Sequence, residues 1–291
     1  MTFHGSLVAI ITPFRNGRVD EKALGDLIEW QIANGTDGIV PCGTTGESAT
    51  LTHEEHKRVI EFTIEAVKRR VPVIAGTGSN ATDEAIEFTR HARSAGADAA
   101  LLISPYYNKP TQEGLYRHHK AIAEAVDIPQ ILYNIPGRTA VNMAPATVAR
   151  LATLKNIVGI KEGAGSLQQV SEIVQACGDR FTVLAGDDAL TLPMMAVGAT
   201  GVITVTANVA PAEMAAMVDA WEAGNVAGAR ALHFKLYPLF QALFFETNPV
   251  PVKHALALMG KATADVRLPL CAMSQENLDK LTRVMKDYGL V

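Results

Sequence analysis

Short apolar segments alternate with amphipathic segments along most of the chain. The apolar segments are rich in Val, Ile, Leu and Ala and rarely alternate with polar residues, which is typical of strands covered on both faces. Eight strands are predicted: Leu7–Phe14, Gly38–Gly43, Pro72–Gly78, Ala99–Tyr107, Pro129–Ile135, Ile157–Gly163, Phe181–Asp188 and Gly201–Ala207. The amphipathic segments between them predict helices, so the chain is expected to belong to the α/β class.

Helix-start signals support this interpretation of the amphipathic segments. A hydroxyl before a helix accepts a hydrogen bond from a free backbone N–H group, and acids in the first turn interact favourably with the helix dipole. The signals are the capping-box pair Thr52 and Glu55, the acids Asp83 and Glu84 after Thr82, Thr111, and Pro211 at a first helical position.

Eight strand–helix units in succession predict a (β/α)8 TIM barrel, with a doubly wound open sheet as the alternative. The barrel is expected to occupy residues 1–224, and its last helix lies near Pro211–Ala223. Residues 225–291 are predicted to form a C-terminal helical extension packed on the barrel, with helices near Val226–Phe245, Pro249–Met259 and Ser274–Asp287.

Composition narrows the functional class. The chain has 291 residues, with 26 Lys and Arg against 30 Asp and Glu, so a net charge of −4 argues against nucleic acid or an anionic membrane as partner. No apolar run has transmembrane length, and Met1 to Gly5 does not resemble a signal peptide. The protein is expected in the cytoplasm, with Cys42, Cys177 and Cys271 as reduced core thiols.

Polar residues follow the predicted strands, at the end of a barrel where active sites gather. The most informative is Lys161, at the end of the apolar run Ile157–Gly163. Apolar surroundings disfavour a charged ammonium, and the neutral amine is the nucleophile that forms a Schiff base with a carbonyl. The alternative is a strand-end lysine that extends to solvent.

Three other groups suggest tasks around such a lysine. The hydroxyls and backbone N–H groups of the turn Gly43–Gly46 form a cradle for a carboxylate, unless this is an ordinary tight turn. Tyr133 is a candidate to exchange a proton at the attacked carbonyl, with Thr44 and another tyrosine as relay, unless it is only a core aromatic. Arg138, in a loop, suits bidentate binding of a second carboxylate.

Signals for metals and organic cofactors are weak. Gly76-Thr77-Gly78 lacks the third glycine of a dinucleotide fingerprint, and His53 and His56 lack a third ligand nearby in sequence. Asp187 and Asp188 are expected to cap a helix. No metal and no organic cofactor are therefore predicted.

Four further side chains are given a minor part. His118 and His119 are expected to diverge on a helix and to lie at a solvated edge. Lys253 is a rival nucleophile, but it lies beyond the eighth strand, and Lys109 is expected to be exposed.

The motifs resemble those of the dihydrodipicolinate synthase family, in the pyruvate-dependent class I aldolase group that includes N-acetylneuraminate lyase. The resemblance covers essentially the whole chain. It is carried by Gly43-Thr44-Thr45-Gly46-Glu47, Tyr133-Asn134-Ile135-Pro136-Gly137-Arg138-Thr139 and Gly159-Ile160-Lys161-Glu162. The segment Pro136–Thr139 resembles the synthases rather than the sialate lyases.

The resemblance implies a carbon–oxygen lyase that condenses pyruvate with L-aspartate 4-semialdehyde to 4-hydroxy-tetrahydrodipicolinate, the committed step towards diaminopimelate and lysine. It implies that Lys161 forms the Schiff base and that Tyr133, Thr44 and Tyr107 form the proton relay. A homotetramer, built as a dimer of dimers, is implied as well, with Tyr107 reaching into the neighbouring subunit's site.

The same resemblance assigns the binding residues. Thr45, together with Thr44, is implied to hold the carboxylate of pyruvate, and Arg138 that of the second substrate. The backbones of Gly186 and Ile203 are implied to line the pocket.

Some bacterial members of the family bind L-lysine at a subunit interface, which implies allosteric feedback inhibition here. The matching residues are Ser48, Ala49, His53, His56, Asn80, Glu84 and Tyr106. Some members carry aspartate where Asn80 stands, so an altered response is expected. Ordinary helix-start chemistry and interface packing are the alternative for these positions.

Two other functions remain open from sequence. One is a different pyruvate aldolase, such as a lyase of sialate or of 2-keto-3-deoxy sugar acids, against which Arg138 argues. The other is a catalytically silent barrel that binds a metabolite, against which the joint presence of Lys161, Tyr133, Thr44 and Tyr107 argues.

Overall fold

All eight predicted strands are present in a computed structural model of the chain, which describes residues 3–291. The strands are β1 Gly5–Ala9, β2 Phe14–Arg15, β3 Arg18–Val19, β4 Gly38–Val40, β5 Ile74–Gly76, β6 Ala99–Ile103, β7 Gln130–Asn134, β8 Ile157–Glu162, β9 Thr182–Ala185 and β10 Gly201–Thr204. Met1 and Thr2, part of the segment that argues against a signal peptide, lie outside the described residues. The short antiparallel pair β2–β3 is the addition that the apolar pattern does not predict.

The helices are α1 Glu21–Ala33, α2 His53–Val67, α3 Thr82–Ala95, α4 Gln112–Ala125, α5 Pro136–Thr139, α6 Pro145–Leu151, α7 Leu167–Cys177, α8 Thr191–Ala196, α9 Pro211–Glu222, α10 Val226–Ala242, α11 Val250–Leu258 and α12 Gln275–Tyr288. The start signals at Thr52, Thr111 and Pro211 mark the beginnings of α2, α4 and α9, whereas Thr82 is itself the first residue of α3 and does not cap it. The capping box is complete, because the Thr52 hydroxyl accepts from Glu55 N–H while the Glu55 carboxylate accepts from Thr52 N–H. Among the described residues, no helix is long and apolar enough to cross a membrane.

The chain forms two compact units. The first contains Pro72–Ile203 together with the residues up to Gly5. Its strands form a parallel sheet in the order β10-β9-β8-β7-β6-β5, so β7 and β8 are direct neighbours. Buried apolar side chains from helix and strand, such as Leu102 and Ile122, pack between the sheet and the helices.

The second unit contains Ser6–Val71 and Thr204–Val291. Here β1 pairs in parallel with β4, and α9 packs on α10 while α11 packs on α12. The predicted helices of the C-terminal extension are confirmed as α10, α11 and α12. The predicted domain boundary after residue 224 stays a prediction.

The expectation that His118 and His119 lie at a solvated edge is wrong. Both side chains are buried, and their rings meet edge to face with centres 4.9 Å apart. The reason lies in helical spacing, because Leu115, His118, His119 and Ile122 form a single i, i+3, i+4, i+7 stripe on the buried face of α4.

The cysteines are all free thiols, as expected, but they do not all belong to the core. Cys42 is buried, Cys177 is partly exposed and Cys271 is exposed. Burial raises the pKa of Cys177 to about 11, so this thiol is a poor nucleophile at neutral pH. The expectation of three core thiols therefore holds for Cys42 and is wrong for Cys271.

Candidate active site

In the first unit, Lys161 and Tyr133 are register partners on adjacent parallel strands. Their side chains are only 6% and 5% exposed, and the Lys161 Nζ atom lies 4.4 Å from the centre of the Tyr133 ring. The apolar residues of β7 and β8 bury both strands, which removes the lysine from bulk solvent. The Lys161 amine thus lies against the Tyr133 ring in buried surroundings, where the two predicted roles would require it.

The next position on each strand begins a buried polar cluster. Glu162 accepts hydrogen bonds from the Asn134 amide at 3.0 and 3.2 Å, from Ala164 N–H at 2.7 Å and from the Gln169 amide at 3.1 Å. Asn142 completes the cluster through hydrogen bonds with Asn134 and Gln169, each at 2.8 Å. Burial raises the pKa of Glu162, and the hydrogen bonds from Asn134, Ala164 and Gln169 oppose that rise.

This cluster determines where the Arg138 loop lies. Arg138 is exposed on the single turn α5, between Asn134 at the end of β7 and Asn142. Both ends of the loop are anchored, because Asn134 binds the Asn142 side chain and accepts from Met143 N–H at 2.9 Å. The loop that carries Arg138 is therefore held at both ends by hydrogen bonds.

Gly186 follows β9, and Ile203 lies in β10 of the same sheet. Gly186 N–H donates to the Glu162 carbonyl at 2.8 Å, and a Cβ atom at this glycine would lie 3.0 Å from that carbonyl oxygen. Only glycine allows so close an approach without a shift of backbone. Ile203 is buried in β10, which pairs with β9. The two predicted pocket residues thus belong to the next two strands of the sheet after β8, which carries Lys161.

A second polar group in this unit contains three of the predicted lysine-binding residues. The Asn80 amide donates to the Tyr106 carbonyl at 3.2 Å, and Ser79 donates a very short hydrogen bond to Glu84. Burial raises the pKa of Tyr106, and the nearby negative charge of Glu84 raises it further. Asn80, Glu84 and Tyr106 therefore lie together, as one site requires.

Tyr107, the predicted third member of the relay, has a different environment. Its side chain is 90% exposed and its φ angle is +72°, in the left-handed region. A non-glycine residue rarely adopts this conformation, and a large exposed aromatic on such a turn is unusual. Within the described chain, Tyr107 is therefore exposed whereas Tyr133 and Lys161 are buried.

The second unit carries the turn Gly43–Gly46, which is predicted to form a carboxylate cradle. Thr45 is buried and Thr44 is partly exposed, on the turn that follows β4. The turn is tight, since a Cβ atom at Gly46 would lie 3.0 Å from the Cys42 nitrogen, and the Thr12 hydroxyl donates to the Gly46 carbonyl at 2.7 Å. Its hydroxyls and N–H groups suit an anion.

The other four predicted lysine-site residues follow the cradle. Ser48 and Ala49 lie in a single 3-10 turn, Ser48–Thr50, and His53 is the first residue of α2. His56 is one turn further along the same helix and is buried. Within residues 3–291, no group of three or more His, Cys, Asp or Glu side chains has the arrangement of a metal site.

The remaining candidates are resolved by their contacts. Asp187 accepts from Ala189 N–H at 3.0 Å, which confirms its prediction as a cap. Lys109 is exposed, as expected. The amine of Lys253 is buried in an ion pair with Glu47 and donates to the Asp265 carbonyl at 2.8 Å, so this rival nucleophile is already engaged.

Sequence reasoning missed the residues that support the site. The Asn248 amide donates to the Thr45 hydroxyl at 3.0 Å, and Asn142 and Gln169 bind Glu162 and its neighbours. The sequence of α11 contains one signal for these contacts. Apart from Lys253 and His254 the helix is apolar, and a fully buried lysine requires a partner.

The sequence and the fold are similar to those of known proteins. The chain matches the Dihydrodipicolinate synthetase family over residues 2–288. A relative from Syntrophus aciditrophicus (strain SB), named 4-hydroxy-tetrahydrodipicolinate synthase, is 65% identical over 289 residues, which cover 99% of each chain.

Solved structures agree over the whole length. Dihydrodipicolinate synthase from Aquifex aeolicus is 54% identical, with a TM-score of 0.98 and 99% of each chain covered. The chloride-inhibited enzyme from Acinetobacter baumannii, solved with pyruvate, is 48% identical, with a TM-score of 0.98 and full coverage of both chains. The enzyme from Cyanidioschyzon merolae, solved with lysine bound, is 40% identical, with a TM-score of 0.97 and 99% of each chain covered.

The fold is therefore a (β/α)8 barrel with a C-terminal helical extension, as the strand pattern predicts, and not a doubly wound sheet. The chain belongs to the dihydrodipicolinate synthetase family and is an enzyme of that family.

Proposed function

We propose that this enzyme condenses pyruvate with L-aspartate 4-semialdehyde to give 4-hydroxy-tetrahydrodipicolinate, the committed step towards diaminopimelate and lysine. The observation that carries the proposal is the contact of Lys161 with Tyr133, both buried at the ends of paired strands. The names of the relatives and the pyruvate complex of the Acinetobacter baumannii enzyme support it.

The first half of the reaction uses the lysine as nucleophile. The neutral Lys161 amine adds to the keto carbon of pyruvate, and loss of water leaves an iminium ion. Tyr133 supplies the proton that the departing oxygen needs and later takes one back, with Thr44 and Tyr107 as relay. The iminium accepts the electron pair that remains when the methyl group loses a proton, which gives an enamine. The iminium formed with Lys161 is this electron sink, so the proposed reaction requires neither a metal nor an organic cofactor.

The second half forms the carbon–carbon bond and releases the lysine. The enamine carbon adds to the aldehyde carbon, and the aldehyde oxygen takes up a proton. The amine of the semialdehyde then adds to the imine carbon, and the C–N bond to Lys161 breaks as the ring closes. In this proposal Thr44 and Thr45 hold the pyruvate carboxylate, Arg138 binds the carboxylate of the semialdehyde, and the backbones of Gly186 and Ile203 line the pocket.

A substrate test separates this function from those of other pyruvate aldolases. The purified enzyme is assayed with pyruvate and aspartate semialdehyde, and in parallel for cleavage of sialate and of 2-keto-3-deoxy sugar acids. We expect turnover of the first pair alone. We also expect Arg138→Lys to raise KM for the semialdehyde about tenfold or more, since bidentate binding is lost, while KM for pyruvate stays the same. Cleavage of a sugar acid at a comparable rate would overturn the assignment.

We propose further that L-lysine inhibits the enzyme allosterically. The joint position of Asn80, Glu84 and Tyr106 supports a site for an amino acid, and the related Cyanidioschyzon merolae structure with lysine bound points the same way. The carboxylate of Glu84 pairs with an ammonium of lysine in this proposal. Ser48, Ala49, His53 and His56 are proposed to complete the site.

Titration with lysine tests the regulation. The rate should fall with L-lysine and not with D-lysine, and Glu84→Gln should raise the half-inhibitory concentration about tenfold because a charged pair is lost. A rate that stays constant at millimolar L-lysine would rule out the inhibition.

The assembly is also part of the proposal. A homotetramer, a dimer of dimers, provides a neighbouring subunit into whose site the exposed Tyr107 extends. Mixing inactive Lys161→Arg and Tyr107→Phe proteins should then restore part of the activity through hybrid sites, and the absence of any restoration would contradict the shared site. We place the reaction in the cytoplasm, where free thiols such as those of Cys42 and Cys271 persist.

A further inference from the structure

A buried hydrogen bond joins the C-terminal extension to the turn that is proposed to hold a carboxylate. Asn248, which lies just before α11, is buried, and so is Thr45. The Asn248 side-chain nitrogen lies 3.0 Å from the Thr45 hydroxyl oxygen and donates to it. The two residues are 203 positions apart in sequence, so only the folded unit brings them together.

The direction of this hydrogen bond decides what the threonine can do. A hydroxyl has one hydrogen to donate and two lone pairs that accept. Because Asn248 occupies an acceptor position, the Thr45 hydrogen is left for another partner. A hydroxyl that receives one hydrogen bond is also a stronger donor of the next, since chained hydrogen bonds polarise one another. The arrangement therefore prepares Thr45 to donate to an anion.

A second contact from the same segment fixes the far end of the cradle. Glu47 has a φ angle of +52°, a left-handed conformation that a side chain disfavours. Its carboxylate is paired with the buried amine of Lys253 through one oxygen, and it accepts from Arg267 N–H at 3.0 Å through the other. The Arg267 guanidinium in turn donates to the Thr50 carbonyl at 2.9 Å.

The amine of Lys253 is held by contacts within the protein. Besides Glu47, its amine donates to the Asp265 carbonyl at 2.8 Å and lies 4.0 Å from the centre of the Phe14 ring. The side chain is fully buried. Its contacts are therefore those of a residue that holds a turn in place.

We propose that Asn248 is a positioning residue for pyruvate, which sets the Thr45 hydroxyl as a donor to the substrate carboxylate, while the Lys253–Glu47 pair holds the turn that carries it. The inference rests on the proposed function, because it takes Thr45 as a ligand of that carboxylate. It adds the C-terminal extension to the elements that determine affinity for the 2-keto acid.

The decisive variant is Asn248→Asp, which keeps the shape of the side chain and reverses its hydrogen bonding. A carboxylate only accepts, so it takes the Thr45 hydrogen and places a negative charge near the carboxylate of pyruvate. We expect KM for pyruvate to rise about tenfold or more, with KM for the semialdehyde close to that of the wild type, and the urea unfolding midpoint to fall because the variant buries a carboxylate. The matched control is Asn225→Asp at the exposed start of α10, where Asp caps a helix as well as Asn does, so no change is expected.

A double-mutant cycle with Asn248→Ala and Thr45→Val shows whether the two residues act together. The double variant should have the same KM for pyruvate as Thr45→Val alone, because Asn248 has no hydroxyl left to orient. Multiplicative effects would overturn the proposal, and so would an Asn248→Asp enzyme with unchanged KM for pyruvate. A rise in KM for both substrates would mean a purely structural role and would overturn it too.

Measurements on the wild-type enzyme distinguish failure of the inference about Asn248 from failure of the proposed function. If the proposed function is wrong, the wild-type enzyme does not turn over pyruvate with aspartate semialdehyde. If only the inference is wrong, the wild type is trapped and Asn248→Asp requires the same pyruvate concentration for half-maximal trapping.

Discussion

Replacement of Glu162 by Gln should destabilise the fold, although the two side chains have the same shape. Both carboxylate oxygens accept in buried surroundings, Oε1 from Ala164 N–H and the Asn134 amide, Oε2 from the Asn134 and Gln169 amides. Either orientation of a glutamine amide would direct its NH2 group at one of these pairs of donors. The substitution therefore creates a buried contact between donors.

The size of the loss in stability follows from the less costly orientation, in which the NH2 group of the glutamine takes the place of Oε2 of Glu162. Asn134 then keeps its contact with Oε1, while the Gln169 amide loses an acceptor and faces another donor. A buried donor without a partner costs ~1–3 kcal/mol. Burial raises the pKa of Glu162, so removal of the carboxylate offsets part of this cost. We expect the free energy of unfolding to fall by about 2 kcal/mol.

Urea unfolding of the wild type and Glu162→Gln measures the loss. Glu172→Gln is the matched control, because Glu172 is exposed on α7 and its hydrogen bond to Gln168 contributes at most about 0.5 kcal/mol. The double variant Glu162→Gln, Gln169→Glu moves the carboxylate to the facing position. It should recover at least half of the stability that Glu162→Gln loses. Equal stability of Glu162→Gln and the wild type, or no recovery on exchange, would refute the reasoning.

Two further predictions concern buried titratable groups. Burial lowers the pKa of His118 to about 4, and burial also lowers the pKa of His119. Below pH 6.5 the unfolded chain therefore binds protons that the folded chain does not, and stability decreases as the pH is lowered. In urea unfolding, His118→Gln should remove about 2 kcal/mol of the loss between pH 7 and pH 5, and identical pH dependence in both proteins would contradict this. Lys253→Met leaves the Glu47 carboxylate buried without its ammonium and should cost about 3–5 kcal/mol, whereas Lys280→Met in an exposed pair should cost less than about 0.5 kcal/mol. A Lys253→Met protein as stable as Lys280→Met would show that the buried pair contributes little.

Local patterns in the sequence predict the strands and helix starts because they depend on near neighbours. Uninterrupted apolar runs identify strands covered on both faces, and the Thr52 and Glu55 pair identifies the start of α2. The predicted strands extend beyond the observed ones at their C-terminal ends, and this has a physical reason. The run Ala99–Tyr107 leaves the sheet after Ile103, and Tyr107 adopts a positive φ angle that no strand contains.

The chemistry at the strand ends is also visible in sequence, because one barrel rim collects those ends. Lys161 and Tyr133 are confirmed as buried neighbours for this reason. The contacts from Asn248 to Thr45 and from Lys253 to Glu47 could not be predicted. They join residues more than 200 positions apart, and no periodicity relates a loop after β4 to residues just before and within α11.

The error at His118 and His119 has a different origin. Adjacent residues on a helix diverge by one third of a turn, yet a broad apolar stripe includes both positions. The spacing of Leu115 and Ile122 on either side indicates that both histidines lie on the buried face. The polarity of imidazole led to the opposite prediction.

The most direct test of the central claim is reduction of the purified enzyme with borohydride in the presence of pyruvate, followed by peptide mass analysis. The Schiff base becomes a stable secondary amine, so we expect a pyruvate-dependent adduct on the peptide that contains Lys161 and none in Lys161→Arg. The peptide that contains Lys253 should stay unmodified, because its amine is held by Glu47. An enzyme active with pyruvate that gives no adduct, or an adduct on Lys253, would contradict the account.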